Sequence, residues 1–425
     1  MSIDTSLNDH STAQLQMPDP ETEKQDTNPS GNRKKKLFII VGLVSAVVAT
    51  IIGFFIFYYF FSSPGSTPTT AQMVQDGSLL FTQVIFRHGA RAPGNEKQTD
   101  TKFFPRDYGQ LTDQGYNHSF MMGRFLKKRY VDTGFLSSFV KPNEMEWRSR
   151  DINRCLSTAS TVAAGMFKTE NQIWLTVPIV TNLGINDVLL NLPIRGCNFT
   201  RNSRIKQCPK TEKVNRDEMY AVLYECMGGN HSIFQEIKID DCDRYINEYR
   251  NHVPVPEFVR DNFKTISEEY LKVRNFQNGI GNRKMIKARF GFLVHTLLEN
   301  LVNAWKHHLA RIKSLKFKVY SSQDWLLGGV LDAFGVLDHI QSKSKEEPNY
   351  NTMIIMELWK KNGKPIVKFY YKPEEITLEN HVLQDLTDII PGCSGKECAL
   401  KKFKSCCNDT RGELEDLQEL CDSRI

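Results

Sequence analysis

An apolar run, Phe81 to Phe86, gives way at once to Arg87-His88-Gly89-Ala90-Arg91, and Pro93-Gly94 then turns the chain. The residue types in this loop suit an anion. Arginine is permanently charged, and its planar fork can hold two oxygens of a phosphate together. Gly89 and the Pro93-Gly94 pair permit tight geometry that can turn backbone amides toward the same anion. A histidine between two arginines is biased toward its neutral form, because like charges disfavour protonation. Neutral imidazole is a nucleophile that can attack phosphorus and carry the phosphoryl group. Taken alone, an Arg-His pair is better read as a surface basic loop without chemistry.

Two other stretches carry compatible groups. Ile152, Leu156, Ala159, Ala163 and Met166 recur at helical spacing. Arg154 then falls in the first turn of that helix, off its apolar face, at the amide end that favours anions. Its ordinary alternative is a helix-surface arginine. Farther on, a strand over residues 316–322 ends in Gln323-Asp324-Trp325, and a helix follows to Phe334, closed by Gly335. A carboxylic acid between strand and helix is well placed as a proton donor, and equally well placed as a helix cap.

The stretches are more specific together than apart. "RHGARAP" at 87–93 resembles the Arg-His-Gly-x-Arg-x-Pro signature of the histidine acid phosphatases, a branch of the histidine phosphatase superfamily. "GQLTDQG" at 109–115 with "KKRY" at 127–130, "RSRDINRCLSTA" at 148–159, "LLNLPIRGC" at 189–197 and "PGCSGKEC" at 391–398 are similar to further family segments, in the family's order. The resemblance implies phosphomonoester hydrolysis: His88 as the phosphate-accepting nucleophile, Arg87, Arg91 and Arg154 as phosphate ligands, and Asp324 as proton donor. It implies no metal and no cofactor. It also implies a Cys393–Cys398 disulfide, a bridge from Cys197 to Cys407 or Cys421, and a homodimer.

One position departs from the pattern. The family ends its strand in His-Asp, whereas this chain has Gln323-Asp324. Gln323 can still donate through its amide to phosphate but cannot carry a positive charge. Losing a charged contact to the transition state costs on the order of 1.5–3 kcal/mol, one to two powers of ten in rate. His307 and His308 lie on the preceding helix, with nothing in the motif to bring them to the site. The departure leaves a rival reading, a pseudophosphatase or phospho-ligand-binding protein. A second rival within the phosphatases is a Golgi-type enzyme acting on a phosphorylated glycan.

The elements that must position these residues alternate between strand and helix. Strands are expected at 78–86, 144–147, 172–180 and 317–322, and helices at 113–129, 152–167, 292–309 and 325–334. Residues 351–372 read as a hairpin around Lys361-Asn362-Gly363-Lys364, since Asn-Gly is a strong turn signal. The expected fold is α/β: a central mixed sheet flanked by helices, with a smaller, mainly helical insert over about 195–290. Ligand sites in such folds lie where strands end and helices begin. The phosphatase domain is expected over 77–410, followed by a C-terminal tail at 411–425.

The rest of the sequence sets the compartment. Leu37 to Phe61 is an uncharged run of 25 residues, preceded by Arg33-Lys34-Lys35-Lys36. A spanning helix needs roughly 20 apolar residues, and the basic flank keeps the N-terminus in the cytoplasm. The expectation is a type II membrane protein with one transmembrane helix. A disordered tail at 1–36 precedes the span, a stalk at 62–76 follows it, and the catalytic domain is lumenal or extracellular. All ten cysteines lie after Arg154, and four sequons, at Asn117, Asn198, Asn230 and Asn408, lie on the same side. Both features fit an oxidising, glycosylating compartment. The net charge of +6 is dispersed among acids and makes no nucleic-acid footprint.

Overall fold

The computed structural model describes residues 77–169, 175–344, 348–374 and 382–423. The disordered tail, transmembrane helix and stalk expected over 1–76 lie outside the described residues. Among those described, no helix is long and apolar enough to cross a membrane.

Eight strands form one mixed sheet: β1 (Ser78–Arg87), β2 (Met145–Ser149), β3 (Ile179–Val180), β4 (Phe317–Ser322), β5 (Met353–Lys361), β6 (Lys364–Lys372), β7 (Gln384–Asp385) and β8 (Cys398–Ala399). Their order is β3-β2-β4-β1-β5-β6-β7, with β8 on β6. From β3 to β1 the neighbours are parallel, and from β1 onward they are antiparallel. β1 is buried on both faces from Phe81 to Arg87, which is why it reads as a continuous apolar run. The β5–β6 hairpin turns through Asn362 and Gly363, both at positive φ (48° and 73°), the geometry that makes Asn-Gly a turn signal.

Helices cover both faces. Arg283–Leu309 and Asp324–Ala333 pack on one through Phe290, Leu297, Leu301 and Leu327. Asp113–Leu126 and Asn153–Phe167 pack on the other through Met122, Leu126, Val162 and Met166. The chain between β3 and β4 is helical from Asn198 to Asn278, with its own core around Leu223, Ile246, Val259 and Val273.

Three local expectations differ from the structure. Of the strand expected over 172–180, residues 172–174 lie outside the described residues, and among those described Ile179–Val180 is strand, paired to Trp147 and Arg148. The helix expected from Phe292 starts at Arg283, because the Asn282 side chain accepts a hydrogen bond from the Met285 amide and caps it nine residues earlier in sequence. Within the expected tail 411–425, Leu414–Asp422 is a helix that buries Leu417 and Cys421 against Arg283–Leu309 and Asn198–Gln207.

Candidate active site

Three parallel strands end side by side. The β1–β4 register pairs Arg87 with Ser322, and the β2–β4 register pairs Ser149 with Ser321. The residues that follow each strand, His88, Arg150 and Gln323, are thus delivered to one edge of the sheet. The His88 amide donates to the Ser322 carbonyl (3.1 Å) and the Arg150 amide to the Ser321 carbonyl (3.0 Å). The helix carrying Arg154 is tied to the same strand end. Ser321 Oγ donates to the Cys155 carbonyl at 2.7 Å, and the Gly89 amide donates to Thr158 Oγ1 at 3.0 Å.

Glycine is required on both sides of the loop. A Cβ on Gly89 would stand 2.5 Å from the Gly115 carbonyl oxygen, and one on Gly115 would stand 2.1 Å from that of Ala90. The two glycines, one in "RHGARAP" and one closing "GQLTDQG", let the loop lie directly against the first turn of the helix Asp113–Leu126.

His88 is buried, and its Nδ1 donates to the Gly89 carbonyl at 2.9 Å. A carbonyl can only accept, so the proton sits on Nδ1 and the Nε2 lone pair is available. Burial first, then the charges of Arg154, Arg87 and Arg91, hold the imidazole pKa well below its ordinary value. The histidine is held neutral and oriented, the state that nucleophilic attack by an imidazole requires.

The arginines are not equivalent. Arg87 pairs with Asp324 (Nη2–Oδ2 2.9 Å), donates to the Pro348 carbonyl and lies over the Tyr350 ring, 4.7 Å from its centre. Arg91 is engaged bidentately by Asp243, at 2.8 and 3.2 Å. Arg154 makes no ion pair or side-chain hydrogen bond among the described residues; burial, and then Arg91, lower its pKa to about 10. The Nε–H groups of all three are buried donors without partners. Three guanidinium charges acting on one buried imidazole are costly to hold together, and an anion in the cleft offsets that cost.

Gln323 and Asp324 close the other side. Gln323 Oε1 accepts from Trp325 Nε1 at 2.9 Å, which commits the oxygen and leaves the amide nitrogen as the group available to an anion. Arg150 lies over the same indole, 5.0 Å from the ring centre. Asp324 opens the helix Asp324–Ala333 and accepts from the Trp325 amide, so it acts as a helix-start residue as well as an ion-pair partner. Burial would raise its pKa, but Arg87 and then Arg274 outweigh burial and hold the carboxyl well below the usual carboxylate range.

All six residues line one cleft of about 1180 Å³ between the sheet edge and the helical insert. Two more partners come from that insert and were not found in the sequence. Arg274, on the helix Phe263–Asn278, bonds Asp324 Oδ1 at 2.9 Å. Asp243 opposes burial with Arg91 and the Gly94 amide, and its pKa is lowered to about 2. Neither lies in a recognisable motif, and the signal that finds them is three-dimensional: the insert folds back over the loop at 87–94. His307 and His308 stay at the far end of their helix and do not line the cleft.

Comparison with known proteins gives the following likenesses. The model of the histidine phosphatase superfamily (branch 2) matches residues 78–191. The chain is 27% identical over 353 residues to putative acid phosphatase 1 of Caenorhabditis elegans, covering 78% of this chain and 80% of the relative. It is likewise 27% identical over 346 residues to prostatic acid phosphatase of Rattus norvegicus, covering 77% and 86%. The match over residues 78–191 and the likeness to acid phosphatases over most of its length make this chain similar to the histidine phosphatase superfamily, branch 2. A phytase of Klebsiella sp ASR1 superposes with a TM-score of 0.59 at 12% identity, covering 82% of this chain and 98% of the phytase, a likeness of fold.

The remaining expected sites fall as follows. The four sequon asparagines Asn117, Asn198, Asn230 and Asn408 are exposed. Disulfides join Cys393 to Cys398, Cys197 to Cys421 and Cys208 to Cys226. Of the two candidates for Cys197, Cys421 is thus the one bonded. Cys155, Cys242, Cys406 and Cys407 are free thiols; Cys155, beside Arg154, is buried and its pKa is pushed up to about 11 by that burial.

Proposed function

We propose that this histidine phosphatase is an acid phosphatase that hydrolyses phosphomonoesters through a phosphohistidine at His88. The observation that carries the reading is the neutral His88, its Nδ1 committed to Gly89, inside three arginines whose Nε–H donors have no partner. A phosphoryl group in this cleft is attracted by the three guanidinium charges and spreads its own charge over them. His88 Nε2 attacks phosphorus, the P–O bond to the alcohol breaks, and Asp324 gives that oxygen its proton. Water then attacks the phosphohistidine, passing a proton to Asp324, and inorganic phosphate leaves.

The Asp324 proton is linked to substrate. In the free site Arg87 and Arg274 keep the carboxyl ionised. An incoming phosphate draws Arg87 toward itself and adds negative charge nearby, and both effects raise the carboxyl pKa. An acidic optimum follows. Gln323 contributes one neutral hydrogen bond where a cation would bind more strongly, so the rate is reduced and not abolished.

Segment 37–61 supports a single-pass type II anchor, and the exposed sequons support a lumenal or extracellular, glycosylated catalytic domain. The deciding experiment is turnover of a generic phosphomonoester by the full chain from acid to neutral pH, beside His88→Ala. Absence of turnover and of a phosphoenzyme burst in the wild type favours the second reading, a phospho-ligand binder, for which Gln323 is the motivating residue. Full activity in His88→Ala removes the mechanism.

A further inference from the structure

Behind one wall of the cleft lies a second cavity of about 270 Å³. Arg201 and Arg204 face it from the helix Asn198–Gln207, and Arg289 from the helix Arg283–Leu309. No aspartate or glutamate lines it. Leu192, Gln277 and Arg289 line both this cavity and the cleft, so the two adjoin.

Among the described residues, Arg201, Arg204 and Arg289 form no ion pair with a carboxylate. Arg289 donates to Asn278 Oδ1 at 3.0 Å, its Nε–H is buried without a partner, and no carboxylate pairs with it among the described residues. The Nε–H of Arg204 is likewise buried and unpartnered. Burial, then the fields of Arg274 and Arg204, lower the Arg289 pKa to about 10. Holding such groups together costs folding free energy unless an anion is bound. The arrangement is also constrained: the Cys197–Cys421 disulfide ties the start of the Arg204 helix to the C-terminal helix, which packs on the Arg289 helix.

We propose that this cavity is a second oxyanion site, in which Arg204 and Arg289 hold a phosphate, sulfate or carboxylate distinct from the group at His88. Arg274, bonded to Asp324 and close enough to act on Arg289, lies between the two. The oxyanion is either a second acidic group of the substrate or a free inorganic anion. The substrate-borne case rests on the phosphatase reading above; the free-anion case does not.

Sulfate binding to the full chain, followed by titration calorimetry, tests the site with Arg204→Gln and Arg289→Gln, each checked for an unchanged melting transition. Two variants on different helices are used because loss of either arginine alone can unsettle the fold. The wild type is expected to bind two sulfates per chain and each folded variant one, or to lose at least tenfold in affinity at one of two sites. Two sites retained in both variants, or one site in the wild type that Arg204→Gln leaves intact, overturns the proposal. One wild-type site that Arg204→Gln removes upholds this cavity and counts against the anion site at His88. No binding in the wild type overturns both. Kinetics then separate the sources. If the oxyanion belongs to the substrate, Arg204→Gln raises KM for a linear alkyl bisphosphate about tenfold, leaving its kcat and the KM of p-nitrophenyl phosphate unchanged. If it is a free anion, both KM values stay unchanged while the sulfate site is lost.

Discussion

Arg154 and Gln323 pose opposite questions about charge. Arg154 is a half-buried guanidinium that forms no ion pair among the described residues, although Asp324 and Asp243 lie near enough to act on it; under the proposed mechanism its charge meets the transferring phosphoryl group. Arg154→Gln is expected to lower kcat/KM by roughly a hundredfold, about 2.7 kcal/mol of transition-state binding, as measured by steady-state kinetics. Gln323→His restores a cation beside the phosphate, and a gain of about tenfold in kcat is expected; an unchanged or lower rate would show that the amide is already the better partner in this cleft. Arg274 tests the proton donor. Removing it as Arg274→Gln takes one cation from Asp324, the carboxyl keeps its proton to higher pH, and the basic limb of the kcat–pH profile moves upward. A limb that does not move assigns the proton to another group.

At the level of elements, the nucleophile loop depends on a close approach between loop and helix. With Ala90 O only 2.1 Å from a Cβ built on Gly115, Gly115→Ala must push the helix Asp113–Leu126 off the loop. The expected cost is about 1–3 kcal/mol in denaturant unfolding, with a larger fractional loss of activity than of stability because His88 moves with the loop. The insert contributes differently. Asp243 at the start of the helix Cys242–Arg250 occupies Arg91, and Arg274 occupies Asp324. These helices therefore set the charge balance of a site whose histidine follows a strand at the sheet edge.

Over the whole molecule, the C-terminal helix is held by one long-range bridge, Cys197–Cys421, across 224 residues of sequence. Cys421→Ser is expected to lower stability by about 2–4 kcal/mol and to depress the melting transition. Since Arg204 lies on the helix that begins at Cys197, sulfate affinity at the second cavity should fall with it. Titration of thiols in the denatured, unreduced chain should return four, those of Cys155, Cys242, Cys406 and Cys407.

How much of this was legible in the sequence follows from the range of each signal. Periodicity and turn chemistry are local, so the strand at 317–322, the helix through Arg154 and the Asn-Gly hairpin could be read directly. His88, Arg87, Arg91, Arg154, Gln323 and Asp324 could be named because strand-to-helix junctions and a multi-part resemblance point to them. Their convergence could not: it is decided by the registers of β1, β2 and β4, pairings between residues more than a hundred positions apart. Asp243, Arg274 and the Arg204–Arg289 cavity leave no local trace, since each exists only once the insert has folded back over the sheet edge. The residue types present determined which chemistry is available. Only the tertiary packing decided which charges are already spent on one another and which remain for a ligand, because burial and distance, not sequence spacing, set the strength of an ion pair.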